Sequence, residues 1–307
     1  MRVDFNLRKT NEKKYTFKSR FKMIEAGFFD NMKRIAIQGL LGSFHDIAAH
    51  QYFEGEQIQL ICCSTFEQVF ENIKRDPTAI GMMAIENTIA GSLLHNYELL
   101  QQSGTTVVGE HKLHISHCIC CLPEDNWATV NEVHSHPVAL MQCRNYLANH
   151  PELKMVEAED TAGSAQYIKE QNCRGWAAIC SREAAEMHGM RILEDTIEDN
   201  KHNFTRFLVV CNPLKADFLR SLPKTNKSSL VFSLPHEEGS LSQVLSILSF
   251  YKINLTKIQS LPIIGREWEY KFYVDVTFDD IIRYRQSIDA ITPLTREMKI
   301  LGEYEGH

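Results

Sequence analysis

The sequence predicts an α/β protein built from two domains. From residue 33 to 211, short β-rich runs alternate with helical stretches, a pattern typical of largely parallel sheets covered by helices. Residues 228–307 then follow the order βαββαβ, the split βαβ arrangement. A length of 307 residues agrees with two domains at roughly 150 residues each.

The composition excludes several classes of protein. The chain is 44% hydrophobic and 23% charged, which excludes a disordered, collagen-like or disulfide-stapled chain. No apolar run approaches the roughly 18 residues that a membrane-spanning helix requires. A net charge of −6 argues against a general nucleic-acid-binding surface. We therefore expect a cytoplasmic protein with neither a membrane nor a nucleic acid as partner.

Nine scattered cysteines cannot all pair, so free thiols of a reducing compartment are expected. The densest group is Cys118, Cys120 and Cys121. It suits either a metal site or an apolar strand in which cysteine acts as a small hydrophobic residue. Because the sequence contains no CxxC pair, we favour the strand and expect no metal.

Residues 1–31 are rich in Lys and Arg but also contain acids, and they lack a continuous apolar core. This composition fits neither a secretory signal peptide nor an organelle presequence. We interpret 1–31 as an N-terminal extension, with a basic nucleic-acid-binding arm as the alternative.

Residues 32–211 are predicted to form two lobes with a ligand cleft between them. The β-rich run 105–121 is too long for one sheet, so we expect it to cross from one lobe to the other. The strand at 204–211 is expected to return across the same hinge. Residues 212–227 contain two prolines and a weak apolar pattern, and are predicted to be a linker before the domain 228–307.

Two strand-to-helix turns are candidate anion-binding sites, because backbone N–H groups at helix starts can hold an anion. The first turn contains Gly42 and Ser43, and a simple tight turn is its alternative explanation. The second spans Glu86 to Ser92, and helix capping is its alternative explanation. Its candidate binding residues are Asn87, Thr88, Gly91 and Ser92.

Two further segments carry candidate residues. Asp160 is predicted to cap a helix that begins at Thr161. Thr205, Arg206 and Phe207 lie in an otherwise apolar strand. An unpaired buried charge is very costly, so Arg206 needs an anionic partner. That partner is either a ligand carboxylate, held in a bidentate contact, or an acid of the protein itself.

These segments, in this order, resemble the prephenate dehydratase family. NFTRFL (203–208) resembles its TRF signature, SHPVALMQCRNYL (135–147) its SHPQAL stretch, and AAICSREAAEMHGMRIL (177–193) its xAAIAS run. LPHEEGSLSQVLSIL (234–248) and KIQSLP (257–262) are similar to the ACT regulatory domain of that family. The resemblance covers residues 32–307.

The resemblance implies a two-lobed catalytic domain of the type II periplasmic-binding-protein class. It also implies a lyase that converts prephenate to phenylpyruvate, with loss of water and carbon dioxide, in phenylalanine biosynthesis. No cofactor is implied. Thr205 would donate to the departing hydroxyl and Arg206 would supply charge. The implied substrate-binding residues are Gly42, Ser43, Asn87, Thr88, Gly91, Ser92, Thr161 and Phe207.

Some residues depart from the usual family pattern. His45 stands where the family has a small hydroxyl residue. GSLLHNYELL (91–100) and DTAGSA (160–165) are also similar to plant arogenate dehydratases, so arogenate is an alternative substrate. A non-catalytic amino-acid sensor is an alternative from another functional class, although no DNA-binding element accompanies it.

The ferredoxin-like ACT domain implies feedback inhibition by phenylalanine, bound where two subunits of a homodimer or homotetramer meet. QSLP stands here in place of the usual ESRP, which predicts weaker inhibition. Removal of 225–307 is expected to leave an active enzyme that is insensitive to phenylalanine. The candidate effector residues are Gly239, Ser240, Leu241, Asn254, Leu255, Gln259, Ser260, Leu261 and Pro262.

Overall fold

A computed structural model of the chain describes residues 32–219 and 225–306. The proposed extension 1–31 lies outside the described residues, as does part of the proposed linker. The described residues form an α/β structure with two mixed sheets. We name its parts the first lobe, the second lobe and the C-terminal unit, as defined below.

The first lobe begins with three parallel strands covered by helices on both faces. Its central strand β1 is buried on both sides: Ile35 and Ile37 belong to one hydrophobic cluster and Ala36 to another. The chain order is β1 Lys33–Gln38, α1 Phe44–Tyr52, β2 Ile58–Cys63, α2 Phe66–Arg75, β3 Ile80–Asn87, β4 Gly91–Ser92, α3 Leu94–Ser103 and β5 Thr106–His114.

The second lobe contains a separate five-stranded sheet of order β10-β6-β9-β7-β8. Its strands β7, β8 and β9 are parallel, whereas β6 runs antiparallel to β9 and β10. The chain order is β6 Cys118–Cys121, β7 Glu132–Ser135, α4 Pro137–Gln142, α5 Arg144–Ala148, β8 Lys154–Glu157, α6 Thr161–Gln171, β9 Trp176–Cys180, α7 Arg182–Met187 and β10 Arg191–Glu194.

The chain then returns to the first lobe. Strand β11 (Phe204–Cys211) inserts between β3 and β5 and runs antiparallel to both, before helix α8 (Pro213–Leu219). Two short connections form the hinge, and they are bonded to each other. Ile115 N donates to Asn203 O at 2.7 Å, and Ile197 N donates to His117 O at 2.9 Å.

The C-terminal unit has the predicted order βαββαβ, with its strands arranged β13-β14-β12-β15. One face of this sheet carries its two helices, whose buried residues include Val244, Leu248 and Tyr284. The chain order is β12 Lys227–Ser233, α9 Ser240–Phe250, β13 Asn254–Pro262, β14 Tyr270–Thr277, α10 Ile281–Ile291, a 3₁₀ turn Thr292–Leu294 and β15 Arg296–Tyr304.

The C-terminal sheet continues the sheet of the first lobe, giving ten strands in all. The joint is a single parallel pairing of Gly302 in β15 with Val107 in β5. An added Cβ at Gly302 would lie 2.2 Å from Val107 O, so only glycine fits there. Thr106 Oγ1 donates to Leu301 O at 3.1 Å beside this pair.

The structure corrects three details of the sequence prediction. The run 105–121 does cross between lobes, but as two strands, β5 and β6. The return crossing is made by 195–203, whereas the strand 204–211 lies wholly in the first lobe. The apolar pattern of 138–149 predicts one helix, whereas the structure has two short helices that break at Cys143.

The nine cysteines are free thiols. Cys118 and Cys120 lie in one buried cluster and Cys121 in another, because successive side chains of the strand point to opposite faces. Among the described residues, no group of three or more His, Cys, Asp or Glu is arranged to hold a metal ion. No helix within 32–219 or 225–306 is long and apolar enough to cross a membrane.

Candidate functional site

A cavity of about 310 Å³ lies in the cleft between the two lobes. Phe44, Phe66 and Phe207 provide an aromatic wall, and helices α1 and α6 both begin at its edge. The polar and titratable residues that line it are Gln38, Ser43, His45, Asn87, His117, His136, Gln142, Glu159, Asp160, Thr161 and Thr205.

Thr205 presents its hydroxyl to this cavity from strand β11. Its Oγ1 accepts a hydrogen bond from Asn87 Nδ2 at 2.9 Å. The amide of Asn87 is oriented by its own turn, because its Oδ1 accepts from Ile89 N at 2.9 Å and Ala90 N at 2.8 Å. A hydroxyl that accepts from an amide keeps its own hydrogen for another partner. The arrangement leaves Thr205 able to donate to a ligand in the cleft.

A polar network continues from Asn87 into the second lobe. Asn87 Nδ2 donates to Asn203 Oδ1 at 2.8 Å, and Asn203 Nδ2 donates to Gln142 Oε1 at 3.0 Å. His117 Nε2 lies 2.9 Å from the same Gln142 oxygen and therefore carries the hydrogen. Gln142 belongs to α4 in the second lobe, so these contacts tie the catalytic candidate Thr205 to the relative position of the lobes.

Sequence reasoning did not select Gln142, Asn203 or His117 as site residues. A signal was present, because Gln142 and Asn203 are polar residues inside two of the quoted motifs. Gln142 is also flanked by the apolar residues Met141 and Cys143, and a buried amide in such a setting needs partners. Periodicity alone does not identify those partners, which come from different lobes.

His45 is a neutral side chain in the cleft wall. Burial lowers its pKa to about 3, and its Nε2 accepts the backbone N–H of Ala84 at 3.3 Å. Its ring packs edge-on against Phe207, with the ring centroids 4.9 Å apart. Burial also lowers the pKa of His117. These two imidazoles therefore supply no positive charge to a ligand at neutral pH.

The turn before α1 does not offer the N–H of Gly42 to a ligand, contrary to expectation. That N–H donates to Asp46 Oδ2 at 2.7 Å, because Asp46 in the first turn of α1 reaches back to it. The Gly42 carbonyl accepts from Ser181 Oγ of the second lobe at 2.6 Å. Gly42 thus joins the lobes, whereas Ser43 lines the cavity and caps α1.

The guanidinium of Arg206 points away from the cleft, which corrects the expectation that it holds a substrate carboxylate. Its Nε donates to Glu110 Oε2 at 2.6 Å, Nη1 pairs with Asp275, and Nη2 donates to Tyr304 Oη at 3.1 Å. Successive side chains of a strand point to opposite faces. With Thr205 facing the cleft, Arg206 faces the C-terminal unit.

Three other predicted binding residues also lie outside the cavity. Thr88 Oγ1 donates to His202 O at 3.1 Å and accepts from Phe204 N at 2.9 Å, so its hydroxyl braces the hinge. Gly91 and Ser92 form the short strand β4, paired with Asn87 and Glu86 respectively. Their role is to close the turn that presents Asn87, Ala90 and Leu93 to the cavity.

The second lobe contributes two carboxylates to the cleft lining. Asp160 caps α6 by accepting from Gly163 N at 2.6 Å, as predicted, and Thr161 follows it at the cavity wall. Glu159 lies beside them at the cavity edge. Among the described residues that line this cavity, none is a lysine or an arginine. The positive ends of helices α1 and α6 are the source of positive potential there.

The candidate effector residues lie in two places. Gly239 has φ +80 before α9, and Asn254 begins β13. Leu241 belongs to the helix-side cluster of the C-terminal unit, whereas Leu261 belongs to the cluster that also contains Tyr97 of the first lobe. Leu241 and Leu261 therefore face opposite sides of the sheet. Within one subunit they do not form a common wall.

The remaining effector candidates follow β13. Leu255 is partly buried against the helix-side cluster. Gln259 is partly buried, and its Nε2 donates to Ser260 O at 3.0 Å. Pro262 ends the strand.

Comparison with known proteins agrees with this architecture. The profile of the family described as "Prephenate dehydratase" matches residues 35–214. A bifunctional chorismate mutase/prephenate dehydratase of Escherichia coli is 29% identical, covering 88% of this chain and 70% of that protein. Arogenate dehydratase/prephenate dehydratase 6 of Arabidopsis thaliana is 34% identical, covering 88% of this chain and 68% of that protein.

Solved structures show the same fold. A protein described as a novel type of quorum quenching acylase, GqqA, matches with a TM-score of 0.78 and 29% identity, covering 90% of this chain and 98% of that one. A prephenate dehydratase from Arthrobacter aurescens, in complex with L-Phe, matches with a TM-score of 0.78 and 24% identity over 89% of each chain. The family profile covers more than half of this chain, and the chain therefore belongs to the prephenate dehydratase family.

Proposed function

We propose that this protein is a prephenate dehydratase, a lyase that converts prephenate to phenylpyruvate, water and carbon dioxide. The observation that carries the proposal is the hydroxyl of Thr205. It faces a cleft of substrate size, and Asn87 holds it as an acceptor, so its own hydrogen remains available. Family membership independently supports the same chemistry.

The reaction requires the protein to bind the substrate and to supply one hydrogen-bond donor. The bond from the ring to its carboxylate breaks, and that electron pair completes the aromatic ring as carbon dioxide leaves. The ring C–O bond breaks at the same time, and the departing oxygen gains a proton to become water. A donor positioned at a developing anion contributes about 10²–10³ in rate. We assign that donor to Thr205.

The substrate carboxylates need positive potential. The cavity offers the starts of α1 and α6, where Ser43 and Thr161 add hydroxyl donors. The neutral imidazoles of His45 and His117 add further polar contacts. Phe207 and Phe44 exclude water from the ring of the substrate. No redox cofactor enters this mechanism, because the reaction involves no net oxidation or reduction.

A direct assay tests the proposal. Full-length protein is incubated with prephenate, and phenylpyruvate is measured by its absorbance in alkali. We expect Thr205→Val to lower kcat about 10²–10³-fold while the protein stays folded, because the change keeps the shape and removes the donor. Thr295→Val is the matched control, since the Thr295 hydroxyl donates only to nearby groups in the C-terminal unit. A kcat within a few-fold of the wild type for Thr205→Val would remove Thr205 from the mechanism.

Arogenate is the second candidate substrate, and the charge of the cleft favours it. Glu159 and Asp160 line the cavity without a lysine or arginine among its described residues, and this suits a ligand that carries an ammonium group. The Arabidopsis relative is named for both activities. The same preparation is therefore assayed with arogenate, with phenylalanine as the product. Ligand binding without either product would favour the sensor hypothesis.

We also propose that residues 32–211 are the catalytic domain, 212–227 the linker and 228–307 an ACT regulatory domain of a cytoplasmic homodimer or homotetramer. The βαββαβ order of the C-terminal unit supports this division. The Arthrobacter relative was solved with L-Phe, which supports phenylalanine as the effector here. The candidate contacts with phenylalanine come from two subunits and remain Gly239 to Leu241, Asn254, Leu255 and Gln259 to Pro262.

A further inference from the structure

Strand β13 of the C-terminal unit brings one lysine onto the turn that presents Asn87 to the cleft. Lys257 Nζ lies 2.8 Å from Glu86 Oε1 and donates to Ser92 Oγ at 2.8 Å. Only 10% of the Lys257 side chain is exposed. Its ammonium also lies 5.7 Å from the centre of the Tyr97 ring, so these three contacts of the ammonium are all with the first lobe.

The two partners of this lysine are the two ends of the turn. Glu86 pairs with Ser92 across the short β3–β4 ladder, and the next pair inward is Asn87 with Gly91. An ammonium that bonds Glu86 and Ser92 together closes the base of the loop 87–91. The Asn87 side chain, which bonds Thr205, lies directly above that base.

The other charged contact at this base is longer. Glu86 is 35% exposed, and its other cationic partner, Arg206 Nη1, is 3.9 Å away. Bonds between an ammonium and a carboxylate are shorter and stronger than neutral ones, particularly when one partner is buried. Lys257 therefore supplies the main charged contact at the closing pair of the loop, from a strand more than 160 residues later in the chain.

We propose that Lys257 is a positioning residue for the dehydration reaction, acting through Glu86 and Ser92 on Asn87 and thereby on the hydroxyl of Thr205. The proposal rests on the proposed function for its kinetic consequence, but its structural consequence is independent of that function. Loss of the ammonium frees the base of the loop, so Asn87 orients Thr205 for a smaller fraction of the time. The C-terminal unit is then part of the catalytic arrangement as well as a candidate regulatory domain.

The test compares two lysines of the same unit in the full-length chain. Lys257→Met keeps the aliphatic stem and removes the charge. Lys271→Met is the matched control, because Lys271 Nζ also contacts the first lobe, at Gln101 Oε1 (3.2 Å), but does not touch the loop. We expect Lys257→Met to lower kcat about ten- to hundredfold, with a smaller change in KM. Lys271→Met should retain the wild-type kcat, and Lys257→Arg should recover most of the loss.

Hydrogen exchange provides a readout that does not depend on activity. The amides of residues 86–92 should exchange faster in Lys257→Met than in Lys271→Met, at equal melting temperature. Equal exchange and equal kcat in the two variants would overturn the proposal. If the wild-type chain forms no product from prephenate or arogenate, the proposed function fails, and the exchange comparison alone decides whether Lys257 positions the loop.

Discussion

At the scale of single residues, Arg206 shows what the alternation of side chains along a strand predicts and what it does not. The sequence indicates that an arginine in an apolar strand needs an anion, and Glu110 and Asp275 provide it. The period of two also requires Thr205 and Arg206 to face opposite sides, so one ligand does not contact both. The identity of the partners was beyond prediction, because Glu110 lies on a neighbouring strand and Asp275 in the C-terminal unit.

We predict that Arg206→Met destabilises the protein more than it alters substrate binding. Removing the cation takes the guanidinium away from buried Asp275 and leaves Glu110 with Lys227 as its cation. Breaking a buried pair of this kind costs about 3–5 kcal/mol. Urea denaturation measures the free energy of unfolding, and Arg266→Met is the control because Arg266 pairs with Glu269 and Glu297 at the surface. A stable Arg206→Met variant with a greatly raised KM would restore the ligand-binding interpretation.

The pH dependence of stability tests the same cluster. Burial raises the pKa of Glu110, but Arg206 and Lys227 outweigh burial, so the net pKa lies below the ordinary value. A carboxyl with a lowered pKa stabilises the folded state above its ordinary pKa, and this contribution is lost as the pH falls through the folded-state pKa. We expect the unfolding free energy of the wild type to fall in that acidic range, and Arg206→Met to show a shallower decline.

At the scale of elements, the turn before α1 was predicted in position but not in role. Its glycine pattern identifies a tight strand-to-helix turn, and φ of +81 at Gly42 agrees with this. The sequence does not show that Asp46 occupies the Gly42 N–H, or that Ser181 of the second lobe holds the Gly42 carbonyl. These contacts depend on how the lobes meet, which no local pattern encodes.

We predict that Gly42→Ala impairs catalysis by preventing the lobes from meeting. An added Cβ would lie 2.7 Å from Ala184 Cα in the second lobe, so backbone must move. Gly55→Ala is the matched control, because Gly55 has the same φ of +81 with nothing within 4 Å of an added Cβ. Both variants carry the strain of a left-handed alanine, about 1 kcal/mol. A lower kcat/KM in Gly42→Ala alone would assign the effect to the lobe contact, whereas equal values would contradict it.

At the scale of the whole molecule, the sequence predicts each unit better than the junction between them. The βαββαβ order follows from local patterns, and the structure confirms it. The joint between the sheets consists of one pair, Gly302 with Val107. A single pair produces no periodic pattern in the sequence. Leu261 illustrates the consequence. It lies in a buried cluster with first-lobe residues, so the arginine that the family pattern ESRP has at this position would be a buried charge here.

The last prediction concerns removal of the C-terminal unit. The sequence suggested that a chain lacking 225–307 stays active and only loses its response to phenylalanine. Two sets of contacts argue against retained activity. Truncation removes Lys257, the cationic partner of Glu86 and Ser92. It also removes Asp275, an anionic partner of Arg206. It also exposes the first-lobe side of the shared hydrophobic cluster, including Tyr97 and Leu100.

We therefore expect a chain ending at residue 219 to be insensitive to phenylalanine but also less stable, with kcat lowered at least as much as in Lys257→Met, about tenfold or more. The test measures kcat with and without phenylalanine, and the melting temperature, for the truncated and the full-length chain. Lys271→Met in the full-length chain shows how much of the loss comes from weakening the interface in general. A truncated chain that keeps the full-length kcat would show that the first and second lobes hold Thr205 and Asn87 in place unaided, and the role assigned to Lys257 would then be wrong.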